Sequence, residues 1–179
     1  MSLTFLVGGA RSGKSRLAVS LAEASGAPVT FIATGEARDD EMAERIARHR
    51  RDRPADWVVV EEPVELGRAV AAAADPAFVV VDCLTLWVAN LLELGLTDDA
   101  IATRAREAAK AAASRVTGAV AVSNEVGLGV VAMDPVGRRY TDLLGRINAI
   151  WAEVADRAAF VIAGRALALA DPFEVLDGR

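Results

Sequence analysis

An α/β fold built on a mostly parallel sheet is what this chain of 179 residues predicts, and three observations carry the prediction. Short apolar runs alternate with segments of helical period almost throughout. One run, residues 78–81, is apolar at every position. Glycine, proline and aspartate mark the turns between them. Strands alternating with helices give a parallel sheet covered on both faces, because each crossover helix packs back onto the sheet.

Residues 3–7 (LTFLV) form a short apolar run closed by Gly8-Gly9 and read as a buried strand. Over residues 14–24, Leu17, Ala18, Leu21 and Ala22 recur at helical spacing, and Gly26 and Pro28 end that helix. Residues 29–33 make a second strand. Residues 39–53 read as a helix with acids in its first turn and arginines in its last, which suits the helix dipole, and Pro54 stops it. A strand at 57–60 and a helix at 64–74 follow, the latter ended by Asp75-Pro76; residues 78–81 are a central strand. Helices are predicted at 84–94 and 98–116, the second with an alanine-rich face suited to close packing. A strand at 119–123, a long helix at 138–157 and a last strand at 159–163 complete the pass. No repeat, low-complexity tract or linker interrupts the chain, so residues 1–179 are read as a single nucleotide-binding domain.

Composition excludes several classes. The chain is 53% hydrophobic and 25% charged, too apolar for disorder, and its net charge of −5 argues against a general nucleic-acid binder. One cysteine, Cys83, rules out an intrachain disulfide, and with one histidine, His49, a structural zinc site is not expected. No apolar stretch approaches the roughly 18–20 residues needed to span a bilayer, and no targeting segment is visible. A cytoplasmic protein is the expectation.

Gly8-Gly9-Ala10-Arg11-Ser12-Gly13-Lys14-Ser15 fits the pattern G-x-x-x-x-G-K-[ST], with an apolar strand before it and an amphipathic helix after it. Glycines let successive backbone N–H groups turn inward around a phosphate, and the helix N-terminus adds a favourable partial charge. Lys14 can reach the terminal phosphates and Ser15 can hold Mg2+. Only two residues of the chain are lysines, Lys14 and Lys110, and one of them stands here. Asp82 ends the central apolar run, where a magnesium carboxylate belongs; the same residue could instead cap the next helix.

On the helix 39–53, Met42, Ile46 and His49 continue one face. Five arginines fall between positions 45 and 53. They disfavour the imidazolium, which would leave His49 neutral and nucleophilic, and they can hold phosphates bidentately. The plainer alternative is a packed histidine beside a solvated arginine face.

These segments together closely resemble the bifunctional adenosylcobinamide kinase / adenosylcobinamide-phosphate guanylyltransferase family of cobalamin biosynthesis. The likeness rests on the glycine loop with Arg16, on Ile32-Ala33-Thr34, and on Asp39-Asp40-Glu41-Met42 followed by Arg45-Ile46 and His49-Arg50. It continues through Arg53-Pro54, Trp57 and Asn124-Glu125-Val126-Gly127 with Gly129, and so covers nearly the whole chain. The resemblance implies a RecA-like P-loop NTPase domain of three layers that uses ATP, GTP and Mg2+. It implies two reactions. A nucleoside triphosphate phosphorylates adenosylcobinamide; GTP then guanylylates an enzyme histidine, and GMP passes to adenosylcobinamide phosphate to give adenosylcobinamide-GDP. His49 is the position matching that histidine.

On this reading Lys14, Ser15 and Asp82 serve the phosphates and the metal, and Arg50, Arg51, Asp52 and Arg53 line the nucleotide. Thr34, Gly35 and Glu36 contact it at a strand's carboxyl end. Glu61 or Glu62 could read the guanine edge, Glu62 being the one carried forward. The resemblance also implies a corrinoid partner and a homo-oligomer, a trimer by expectation. Asn124, Glu125, Arg146 and Asn148 are corrinoid candidates by segment resemblance alone. Departures from the family pattern are Asp82 in place of a frequent glutamate, the segment Val130-Val131-Ala132-Met133-Asp134-Pro135, and Asn148-Ala149 in place of Asn-Gln. The competing readings are a P-loop kinase or GTPase without covalent chemistry, and a nucleotide-gated binding module in which His49 merely packs.

Overall fold

The structure, a computed structural model, describes residues 3–37, 39–51 and 53–176; within that span the side chains at 41, 45, 48, 49, 51 and 174 lie outside the description. The strands are β1 (Leu3–Gly8), β2 (Val29–Ala33), β3 (Val58–Glu61), β4 (Phe78–Asp82), β5 (Ala119–Asn124), β6 (Arg157–Ile162) and β7 (Arg165–Leu169). The helices are α1 (Lys14–Ala24), α2 (Asp40–Arg51), α3 (Leu66–Ala72), α4 (Leu84–Glu93), α5 (Asp98–Ala113), α6 (Pro135–Val154) and α7 (Pro172–Leu176). Among the described residues the strands form one sheet in the order β3-β2-β4-β5-β1-β6-β7. Every neighbouring pair is parallel except β6 with β7.

Period-two alternation sorts the strands' side chains into two cores. Leu3, Phe5 and Val7 of β1 with Val79 and Val81 of β4 face α3, α4, α5 and α6. Leu6, Phe31, Val80, Val120 and Val122 face α1 through Ala18 and Ala22. The central strands are therefore buried on both sides, which is why residues 78–81 read as an unbroken apolar run. Trp87 and Trp151 are fully buried and belong to the core.

Two expectations need correction. The strand expected at 159–163 is present as β6, which ends at Ile162, but it is not the last: a two-residue turn at Ala163 and Gly164 returns the chain as antiparallel β7. Both turn residues have positive φ, 51° and 72°, as a tight hairpin requires, but only Gly164 advertises it. The next five residues, RALAL, carry alanine and leucine, helix formers that hide an edge strand. The long helix also starts three positions earlier than 138. Asp134 accepts from the Gly137 amide and Pro135 occupies the first turn, the usual opening of a helix. No helix of the described residues is long and apolar enough to cross a membrane.

Candidate active site

The parallel strands all end on one edge of the sheet, and the functional segments emerge there. β1 runs directly into the phosphate loop. Gly8 must be glycine because a Cβ there would stand 2.1 Å from the Val161 carbonyl oxygen of β6. Backbone cannot move aside as a flexible side chain can. Gly8→Ala is therefore expected to cost about 3 kcal/mol or more, read as a lower urea midpoint at unchanged m-value.

The loop is held from three sides. Its first carbonyl, Gly8 O, accepts from the Glu125 amide at 3.1 Å. Ser12 O accepts from the Gly164 amide at 2.8 Å, so the β6–β7 turn braces the loop. Lys14 is buried, and its Nζ donates to Gly8 O and Gly9 O, each at 2.7 Å, and to Ser12 Oγ at 3.4 Å. Gly13 sits before α1 at φ 103°, and no side chain caps that helix. A glycine loop running into a helix N-terminus is the arrangement that binds phosphate in general.

Asp82 ends β4, and β5 separates β4 from β1. The cap position of α4 is Cys83, whose side chain makes no capping hydrogen bond, and Asp82 is the residue before it. Ser15, in the first turn of α1, and Asp82 offer oxygen donors only, a hydroxyl and a carboxylate. That chemistry fits Mg2+, which keeps substrate phosphate oxygens and water among its ligands.

Thr34 is fully buried; its hydroxyl donates to Cys83 O at 2.7 Å and accepts from the Cys83 amide at 2.9 Å. Asn90 Nδ2 holds the Thr34 and Pro63 carbonyls at 2.8 and 3.1 Å. The Thr34 side chain therefore locks the ends of β2 and β4 together, with Gly35 and Glu36 next to it in the chain. Glu36 is exposed. Gly35 is packed so closely that a Cβ would lie 2.9 Å from Leu86 Cδ1 and 3.9 Å from Ile46 Cδ1, which seats α2 over the end of β2.

Asp39 Oδ1 accepts from the Met42 amide at the start of α2. His49 and Arg51 lie on α2, with side chains outside the described residues, and Asp52 lies outside them altogether. Arg50, their neighbour, pairs with Glu61 of β3. Arg53 stacks its guanidinium 3.7 Å from the centre of the Phe31 ring, and Phe31 stacks on Trp57 at 6.3 Å. Arg50, Arg53, Trp57 and Glu61 line one cleft of about 510 Å³ with Pro54, Ala55 and Val59. Glu62 is used differently: its Oε1 accepts from the Val64 and Glu65 amides at 3.0 and 2.9 Å and shapes the turn into α3.

The sequence reading missed a support beneath this edge. The Tyr140 hydroxyl donates to Thr85 O at 3.1 Å, while Thr85 Oγ1 accepts from the Asn124 amide at 2.8 Å. Burial pushes the Tyr140 hydroxyl pKa upward, with the charge on Cys83 adding to the effect, so the group stays a neutral donor. Tyr140 is the only tyrosine of the chain, the one signal that marked it. Buried Asn148 donates to Asn124 O at 3.1 Å, and Arg146 pairs with Asp99 on α5.

Comparison with known proteins places this geometry among relatives. The sequence profile of the family described as cobinamide kinase / cobinamide phosphate guanyltransferase matches residues 4–169. A bifunctional adenosylcobalamin biosynthesis protein CobP of Pseudomonas aeruginosa is 46% identical over 162 residues, which is 89% of this chain and 92% of that protein. The bifunctional adenosylcobalamin biosynthesis protein CobU of Escherichia coli is 35% identical, covering 90% of this chain and 96% of its own. That of Salmonella typhimurium is 37% identical with the same coverage, 90% and 96%.

Among solved structures, an ATPase from the type III secretion system of pathogenic bacteria is similar with a TM-score of 0.53 at 12% identity. The match covers 99% of this chain, which spans about half, 54%, of that ATPase. The flagellar accessory protein FlaH of Methanocaldococcus jannaschii matches with a TM-score of 0.50 at 13% identity, over 94% of this chain and 77% of FlaH. At such identities the likeness is one of fold, and the fold is the RecA-like P-loop NTPase architecture expected from the sequence.

Proposed function

The chain belongs to the cobinamide kinase / cobinamide phosphate guanyltransferase family, and from that premise we propose a covalent route for its second reaction with His49 as the nucleophile. The chain is a bifunctional enzyme with kinase and guanylyltransferase activities that binds nucleotides through its P-loop. The observation that carries the covalent route is the cleft at the end of α2. It is lined by Arg50, Arg53 and Trp57, and the chain's only histidine is the residue before Arg50.

In the kinase step the hydroxyl of the aminopropanol arm of adenosylcobinamide attacks the terminal phosphorus of a nucleoside triphosphate, ATP or GTP. The bond from that phosphorus to the bridging oxygen breaks, the nucleoside diphosphate leaves, and the hydroxyl proton passes to solvent. Lys14 and the amides of the loop 8–15 hold the phosphates while charge moves onto the leaving oxygen. Ser15 and Asp82 would hold Mg2+, which when bound would neutralise phosphate charge.

In the transfer step an unprotonated imidazole nitrogen of His49 bonds to the α-phosphorus of GTP, and the bond to the β-phosphate breaks with loss of pyrophosphate. The phosphate of adenosylcobinamide phosphate then attacks the same phosphorus, the N–P bond breaks, and adenosylcobinamide-GDP forms with the imidazole restored. Arg50, Arg51 and Arg53, with Asp52 among them, line the nucleotide. Thr34 fixes the backbone of Gly35 and Glu36, which contact it. Glu62 is the proposed reader of guanine through the carboxylate oxygen that does not hold the turn into α3.

The reading further carries one domain for both reactions, a cytoplasmic location and a homo-oligomer, proposed as a trimer. Exposed Leu167, Leu169 and Phe173 at the β7 edge support a subunit contact. Incubating the protein with GTP labelled at the α-phosphate tests the covalent route. A label that stays on the denatured protein in base and is lost in acid is expected. No label under conditions in which the enzyme turns over overturns it.

A further inference from the structure

The segment 126–133 leaves β5 beside the phosphate loop, and no charged residue occurs in it. Its apolar side chains point outward: Val130 is 98% exposed, Met133 92%, Leu128 80% and Val131 72%, beside β5 residues that are buried. Exposed apolar side chains crowded into one segment mark a binding surface more often than isolated ones do.

Both ends of the segment are anchored. At one end the Glu125 amide donates to Gly8 O of the phosphate loop, and Glu125 Oε1 accepts from the Gly127 amide at 2.6 Å. At the other, Arg138 Nη1 donates to the Ala132 and Met133 carbonyls at 3.0 and 2.7 Å. Gly137 of α6 approaches so closely that a Cβ would lie 2.9 Å from Ala132 Cβ. The middle, around 128–131, is thus presented from fixed ends.

We infer that the segment 126–133 is the platform for the corrin macrocycle of the acceptor in the kinase reaction. The inference rests on the reading of the chain as a cobinamide kinase. The acceptor hydroxyl has to reach the terminal phosphate at the loop 8–15, so the macrocycle that carries it must rest on a surface adjoining that loop. The segment begins one hydrogen bond away from Gly8. A corrin ring offers broad apolar faces with amides at its periphery, and uncharged, outward-facing valine, leucine and methionine match those faces without desolvating a charge.

The test uses Leu128→Asp and Val130→Asp, singly and together, with Leu128→Met as the conservative control. Both side chains are exposed, so the substitutions leave the core untouched. Cobinamide itself is the probe, in equilibrium dialysis and in steady-state kinase assays, with molecular mass followed by light scattering. The double variant is expected to raise the KM and dialysis Kd for cobinamide about tenfold or more while the nucleotide KM stays within about twofold and the mass is unchanged. Leu128→Met, which keeps an exposed apolar side chain, is expected to keep the cobinamide KM far closer to that of wild type than Leu128→Asp does. An unchanged cobinamide KM in the double variant overturns the inference. So does a fall in mass, which assigns the segment to a contact between copies of the chain. A wild-type protein that neither binds nor phosphorylates cobinamide overturns the kinase reading instead, before any variant is compared.

Discussion

Replacing Lys14 by alanine is expected to lower turnover in both the kinase and the guanylyl-transfer assays by about a thousandfold, against a much smaller change in nucleotide KM. The reason is in what the ammonium touches. Nζ lies 2.7 Å from both Gly8 O and Gly9 O, within the glycine loop proposed to hold the phosphates. It is positioned before any nucleotide arrives, so its charge meets the developing negative charge without reorganisation. A compact ammonium suits that point contact better than a guanidinium, and Lys14→Arg should recover little. Alanine also removes a brace: among the described residues, Gly8 O keeps the Glu125 amide, and Gly9 O keeps the longer bond from the Ser12 amide at 3.3 Å. Circular dichroism melting separates the two effects. A variant that folds near the wild-type Tm yet has lost turnover supports the phosphate role. Retained kinase activity in Lys14→Ala overturns the assignment of the P-loop.

The parts of this site that were legible in the sequence are those set by local chemistry. The helix predicted at 14–24 is α1, and the strand at 29–33 is β2, because the glycine loop and the Gly26-Pro28 break are written into neighbouring residues. What stayed hidden depends on partners remote in the chain. Thr34 was legible as a residue at a strand end, but its lock on Cys83 spans 49 positions. The Tyr140 to Thr85 bond spans 55, and the Asn124 to Thr85 bond 39. From the sequence, glycine at 8 reads as loop flexibility, whereas the structure makes it a matter of contact with the Val161 carbonyl. Likewise β7 was missed because an alanine-leucine repeat carries no β preference and its pairing comes from the Ala163-Gly164 turn. Local signals thus place the loop and its helix, and long-range packing decides how rigidly that loop is held.

His49→Ala is expected to separate the two activities, which no change in the phosphate loop can do. Guanylyl transfer should fall by about ten-thousandfold or more, with no α-phosphate label on the protein, because a nucleophile has no substitute once removed. Kinase turnover should persist, since phosphorylation of an alcohol by a P-loop enzyme needs positioned phosphates and not a histidine. Alanine is the best helix former, so α2 should survive the change; Ile46 of α2 keeps its place beside Gly35. The outcome discriminates among the competing readings. Loss of label and of transfer with kinase activity intact supports covalent catalysis at His49. Loss of transfer with label retained would mean that another residue is guanylylated, and His49→Asn, which keeps a polar side chain, gives the same discrimination. Loss of both activities together would instead make the histidine a packing residue on which the arginine-lined cleft depends. Arg50 then supplies the contrast: it lines that cleft and pairs with Glu61, but has no nucleophilic nitrogen to offer. Arg50→Ala is expected to raise the KM for GTP in the transfer assay while leaving the protein able to carry the label at saturating GTP, a pattern that a merely structural α2 would not produce.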